Sequence, residues 1–402
     1  MRKLLAFPLG ILLVSGCISA EEKLERKAER IHSSILTVDT HCDTPISLDK
    51  ANFDLGVKND FGCVDFPRMM EGGLHSEFFA VFIEQGIRND STDILVHEKT
   101  LSIFSKIQNS LLSNSDKAEL AMTAEDAYRI KRSGKIAAFI GLENGYAIGH
   151  DLKRIKQYYD LGARYITLSH TRNNDICDSS TDPAGPESNG LSTMGEEIVR
   201  EMNRIGMMVD VSHISDAAFY DIIKVSAAPV IASHSSCRAL CGNPRNMSDD
   251  MLLTLKENGG VIQICLLSNF LKTPEPNPEL FEKMRILREK YGDINSLSED
   301  SKKIAQEEFR TIQKKYEKLA TVKDIVDHID HVVQVIGIDH VGIGSDFDGG
   351  GGVEGCMDVS QVKNITIELL SRGYTKSQIE KIWGGNIMRV MRQVAELSEH
   401  AA

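Results

Sequence analysis

The run Ile136-Ala137-Ala138-Phe139-Ile140-Gly141-Leu142-Glu143 is followed by a helical pattern over 151–161, a stop at Gly162, and then Ala163-Arg164-Tyr165-Ile166-Thr167-Leu168-Ser169-His170. Two nearly continuous apolar runs of strand length flanking a helix form a βαβ unit, whose strands are parallel and covered on both faces. Each run ends on a residue with chemistry, Glu143 and His170.

The same rhythm extends in both directions. Strands are expected at 35–43, 76–83, 207–213, 229–235, 259–267 and 340–346, which with the two quoted make eight. Helical patterns fall at 92–115, 123–133, 192–205, 215–225 and 248–258. Several open on Ser, Thr or Asp, and Gly134, Gly162, Gly206 and Gly259 stand where helices stop. Eight such units predict an α/β fold, a (β/α)8 TIM-type barrel. Residues 271–336 break the rhythm. From Pro278 onward they are rich in Glu, Lys and Leu and predict a helical insertion between strands 7 and 8, its last helix being the barrel helix. Helices at 360–372 and 375–396 close the chain.

With 46 basic and 58 acidic residues the net charge is −12, which excludes nucleic acid as a partner, because phosphate binding needs clustered Lys and Arg. Arg2 and Lys3 precede an apolar run over 4–14, too short to span a bilayer and in the pattern of a signal peptide. The run Val14-Ser15-Gly16-Cys17 resembles a bacterial lipoprotein processing site. It implies a signal peptide over 1–16, lipidation at Cys17 and attachment to the bacterial cell envelope with the protein facing the periplasm or exterior; the plain alternative is a signal peptide cleaved after Ala20. Residues 17–30 are assigned to an anchor spacer, of which the charged part 21–30 makes a short spacer or a first helix, and 31–402 to a single domain. Of eight cysteines, seven remain after Cys17, an odd number. They form no CxxC pair, so no structural zinc knot is expected, while an exported location permits disulfides.

Six expected strands carry a His, Asp or Glu at the carboxyl end, the active-site face of barrel enzymes. Strand 1 reads Asp39-Thr40-His41-Cys42-Asp43, where His41 and Asp43 share a face by parity. The other ends supply Glu143, His170, His213, His234 and the run Gly344-Ser345-Asp346-Phe347-Asp348-Gly349. A lone His at a strand end is more often a packing residue, and a lone Glu a solvated one. Together they supply the ligand types of zinc and similar metals, enough for two ions. Asp39 is expected behind the ligands. His32, His75, His97, His150, His328, His331 and His340 are read as structural.

Seven segments, at 39–45, 141–145, 167–170, 210–213, 233–236, 244–246 and 342–349, resemble the membrane (renal-type) dipeptidase family of zinc peptidases. The similarity runs from about Ile31 to Ala395. The resemblance implies a barrel with two zinc ions per chain: His41 and Asp43 on one, His213 and His234 on the other, Glu143 bridging. It implies hydrolysis of dipeptides by a hydroxide shared between the metals. His170 would steady the oxyanion, Arg245 would grip the substrate carboxylate and Asp346 would move the proton. A homodimer is implied by analogy alone. Two other readings remain. Another binuclear amidohydrolase, acting on a lactone, cyclic amide or phosphoester, would commonly begin His-x-His and often bridge with a modified Lys. A lipid-anchored binding protein with a decayed site would not keep a complete ligand set.

Overall fold

The computed structural model describes residues 19–292, 297–316 and 318–398. The expected signal peptide and Cys17 lie outside them. The strands are β1 (Val38–Cys42), β2 (Ser76–Phe82), β3 (Ala118–Leu120), β4 (Ile136–Glu143), β5 (Ala163–Thr167), β6 (Met208–Asp210), β7 (Ile231–Ser235), β8 (Val261–Cys265) and β9 (Val341–Gly344). All pairings in the sheet are parallel, in the order β1-β2-β4-β5-β6-β7-β8-β9. β3, unexpected from the sequence, lies beside the first half of β4, where Leu120 pairs with Ala138; β5 takes that side from Ile140 onward.

The ring closes between β1 and β9 by few bonds. Asp346 N–H donates to His41 O at 3.0 Å and Asp43 N–H to Phe347 O at 2.8 Å. Asp39 Oδ1 adds a side-chain clasp, accepting from Ser345 N–H at 2.7 Å and His41 N–H at 3.3 Å. The strand residues are buried throughout β1, β4, β5 and β8, as the unbroken apolar runs require. The expected caps are made: Thr123, Ser192, Ser215 and Ser248 each accept from a first-turn N–H. Gly206 and Gly259 end their helices in the left-handed region.

Three boundaries differ from expectation. Of the two readings of 21–30, the structure has the first helix, Ala20–Ser34. Ala28, Ile31 and His32 on it are buried, so the folded unit begins before residue 31. That helix runs parallel to Lys363–Ser371, with Glu29 on Lys363 and His32 Nδ1 2.7 Å from Thr366 Oγ1. A helix over Phe66–Gly72, capped by Asp65, was not expected. The C-terminal helical stretch is broken into Lys376–Glu380, a π turn and Asn386–Glu396. The insertion holds Pro278–Tyr291 and Glu299–Tyr316, followed by the barrel helix Val322–Ile336. The seven cysteines among the described residues are all free.

Candidate metal centre

Glu143 is the last residue of β4 and is almost fully buried. Four imidazoles surround one of its oxygens: Oε1 is 3.1 Å from His213 Nε2, 3.4 Å from His234 Nε2, 3.7 Å from His41 Nε2 and 3.8 Å from His170 Nε2. His41 Nε2 is 3.9 Å from both Asp43 Oδ1 and Asp346 Oδ1. His213 and His234 face each other through Nε2 at 2.8 Å. The residues singled out in the sequence therefore converge, though not by strand parity. Asp43 follows the end of β1, and His213 and Asp346 lie beyond β6 and β9 with φ of 70° and 59°. Non-glycine residues held there mark a local backbone cost that barrel packing sustains.

Side chains that sequence reading passed over set the imidazole tautomers. Tyr165 O–H donates to Thr40 O at 3.1 Å, so it accepts from His41 Nδ1–H at 2.9 Å. Ser233 O–H donates to Asp210 Oδ2 at 2.6 Å and accepts from His234 Nδ1–H at 2.8 Å. Both rings thus turn an unprotonated Nε2 toward Glu143, the form a metal needs. Tyr165 reaches His41 only because Gly141 leaves room; a Cβ there would lie 2.0 Å from the Tyr165 ring. Gly349 plays the same part for the acids, since its Cβ would lie 2.3 Å from both Asp43 Oδ2 and Asp346 Oδ1. A tyrosine within a strand reads as core, so the sequence carried no signal for it. Asp210 and Ser233 lay within the segments 210–213 and 233–236 without a role.

Burial governs the charges. It pushes the His41 pKa down to about 3 and the His170 pKa down to about 4, and holds His213 and His234 well below the usual range. It raises the carboxyls of Asp43, Glu143 and Asp346, each helped by a neighbouring acid. Neutral imidazoles therefore meet carboxyls that ionise only if positive charge joins them. His41 Nε2, Asp43 Oδ1 and Glu143 Oε2 are buried with no hydrogen-bond partner. Three overlapping groups, His41–Glu143–His234, Glu143–His170–His213 and His41–Asp43–Asp346, have donor atoms within 4.8 Å of one another. This donor set fits zinc or a similar divalent ion. The histidines read as structural belong to none of these groups.

The remaining residues border the cluster. His170 is the most exposed of the four imidazoles, at 21% against 8% or less, and packs edge-on against Phe82. Arg245 is buried and donates from Nη2 to His234 O at 3.2 Å, while its Nε and Nη1 have no partner. Its guanidinium lies 5.2 Å from the Phe270 ring centroid. Asp348 turns away, accepting from Thr44 Oγ1 at 2.6 Å and Cys63 N–H at 2.7 Å.

Residues 25–402 match the family described as membrane dipeptidase, peptidase family M19. The chain is 37% identical to the dipeptidase tcpJ of Claviceps purpurea (strain 20.1), covering 87% of this chain and 75% of that one. Among solved structures, the probable dipeptidase PvdM from Pseudomonas aeruginosa superposes with a TM-score of 0.83 at 30% identity, over 94% of this chain and 99% of that one. A metallo peptidase called dipeptidase AC, at 24% identity and a TM-score of 0.72 over 90% and 98% of the two chains, shares the fold.

Proposed function

This chain belongs to the membrane dipeptidase family, peptidase family M19, and from that premise we propose how its residues divide the work. It is a dipeptidase, a hydrolase of peptide bonds. His41 and Asp43 would hold one zinc ion, His213 and His234 a second, and Glu143 both. When bound, such a pair supplies a Lewis acid for the carbonyl and lowers the pKa of a shared water toward neutrality.

The observation that carries this reading is the single oxygen, Glu143 Oε1, within 3.1–3.8 Å of four imidazole nitrogens. Asp346 is the proton carrier: its carboxyl, ionised once positive charge joins the site, takes a proton from the attacking water and returns it to the leaving amine. His170, neutral and facing the opening, steadies the oxyanion. Arg245 offers its two unpartnered nitrogens, Nε and Nη1, to the substrate carboxylate, a charge-assisted grip at fixed distance that selects very short peptides.

The test is a metal assay on active protein together with a dipeptide panel that includes D residues at the second position and amidated dipeptides. Two metals per chain and slow cleavage of the amidated forms are expected. One metal or none in active protein rejects the binuclear site. Amidated dipeptides cleaved as fast as free ones remove Arg245 from substrate binding. The run ending at Cys17 supports a lipid-anchored envelope protein, and the family resemblance supports a homodimer. A mature chain found by mass spectrometry to start at Glu21 would reject the anchor.

A further inference from the structure

A second concave site lies at the opposite end of the barrel. A depression of about 430 Å³ is lined by Ser33, Gly73, His75, Lys131, Arg132, Lys135 and the apolar Met70, Leu74 and Ile136, with no acidic residue. His75 precedes β2 and Ile136 begins β4, so the site sits at the amino-terminal face, away from the metal centre. A volume of this size suits a small molecule.

Its charge runs against that of the chain as a whole, whose net charge is −12. Lys131 Nζ donates to Ser33 O at 3.1 Å and Lys135 Nζ to Ser115 O at 2.8 Å, both carbonyls at or just past helix ends. Each contact uses one of three ammonium donors. Among the described residues neither lysine has a carboxylate within ion-pair distance, and Arg132 has no hydrogen bond or ion pair. Beyond the rim, Glu380 and Lys376 act on Lys131 with opposite sign.

His75 adds a different chemistry. Thr37 O–H donates to Gly73 O at 2.7 Å, so its oxygen accepts the His75 Nδ1–H at 2.6 Å. The other nitrogen, Nε2, is left as an acceptor with no partner among the described residues. Burial, with Lys131 close by, pushes the His75 pKa down to about 3, so the ring stays neutral at physiological pH. Three cations without an ion pair among the described residues, beside one neutral acceptor, match an anion that carries a hydroxyl.

We propose that this depression binds a phosphate monoester bearing a neighbouring hydroxyl, with the phosphate on Lys131, Arg132 and Lys135 and the hydroxyl donating to His75 Nε2. Arg132 supplies the fork and the lysines the point charges. The same chemistry occurs free in solution or as a lipid headgroup.

The experiment is calorimetric titration of the metal-loaded full chain with sn-glycerol 3-phosphate, and in a second arm with phosphatidylcholine vesicles with and without lysophosphatidic acid. Saturable binding at about millimolar Kd or tighter is expected, weakened about tenfold or more by Arg132→Glu with Lys135→Glu, and by rising salt. Arg132→Gln, at an exposed position without partners, should weaken it less and leave the fold and kcat/KM for a dipeptide unchanged. Binding to the vesicles alone assigns the site to a headgroup; binding of the soluble ester assigns it to a free metabolite. Absence of binding in both arms overturns the proposal. So does binding that survives the double substitution and inhibits dipeptide hydrolysis, because the phosphate would then sit at the metal centre.

Discussion

The barrel mouth and the helical insertion obey opposite rules. At the mouth, carboxyls and imidazoles are buried, several of their polar atoms lack partners, and Asn144, His213, Asp346 and Asp348 have positive φ. In the insertion, charges are exposed and paired, as in Arg285 with Glu282 and Glu289 and Lys290 with Glu308, while Phe281 and Ile304 stand in solvent. A buried polar group without a partner is costly, so the mouth is built for something that completes it. Exposed ion pairs contribute little, so the insertion adds little to the barrel. Local violations concentrated in one region and absent from another locate the chemistry.

The sharpest way to break the comparison is Glu143→Gln. The amide keeps the shape but cannot carry the charge on which four imidazoles converge. Both metals should be lost or greatly weakened, and kcat should fall by more than about 10⁴-fold, beyond what one general acid–base group supplies. Elemental analysis with a dipeptide assay checks it; two tightly held metals would remove Glu143 as the bridge.

Asp346→Asn should do less and do it differently. A fall in kcat of about 10²–10⁴-fold with both metals retained marks a proton carrier. Loss of metal would instead make it a ligand, for which its 3.9 Å approach to His41 Nε2 leaves room. Asp348→Asn should cost less, because that carboxylate is spent on Thr44 and Cys63.

How much of this was legible beforehand follows from what each signal depends on. Burial on both faces produces unbroken apolar runs, so eight barrel strands and their carboxyl ends could be read from the sequence. β3, three residues long, and the helix Phe66–Gly72 are too short for a period to show. Parity correctly grouped His41 with Asp43 but for an incomplete reason, since Asp43 already lies off the strand. For Asp346 and Asp348 parity chose nothing, and only position, nearer the end of the apolar run, favoured Asp346; the left-handed turns separate them, one inward and one toward Thr44. The tautomer-setting contacts of Tyr165 and Ser233 depend on neighbours 124 and 23 residues away, and no local pattern encodes those.

Removing the metals should expose the mouth's cost as a pH effect. Asp39, pushed up to about 7 by burial, and the raised Asp43, Glu143 and Asp346 bind protons more tightly folded than unfolded. Their contribution is present at low pH and is lost as pH rises through the folded values. The depressed histidines act the other way, losing stability as pH falls below their ordinary 6.5. Between pH 6 and 8 the carboxyls dominate. The chelated protein should therefore have a lower Tm at pH 8 than at pH 6, with a smaller change in the metal-loaded protein. A chelated Tm equal or higher at pH 8 would contradict the buried-carboxyl account.

The smallest effect is expected where the comparison places least chemistry. The insertion's two ends meet: Asn277 Nδ2 donates to Tyr316 O at 2.7 Å, so a short Gly/Ser linker can replace residues 279–315 without stretching the chain. Ala320 N–H donates to Ser268 Oγ at 2.6 Å and Glu354 N–H to Ala320 O at 2.8 Å, so the root is held by contacts that lie outside the excised part. Phe270, beside Arg245, also lies outside the excised part. A shorter loop costs slightly less closure entropy, and the pairs removed are exposed ones. Tm should stay within a few degrees and kcat/KM for free dipeptides within about threefold, under 1 kcal/mol. If kcat/KM falls much further while both metals remain bound, the helices reach the substrate, and the division between a chemical mouth and an idle insertion fails.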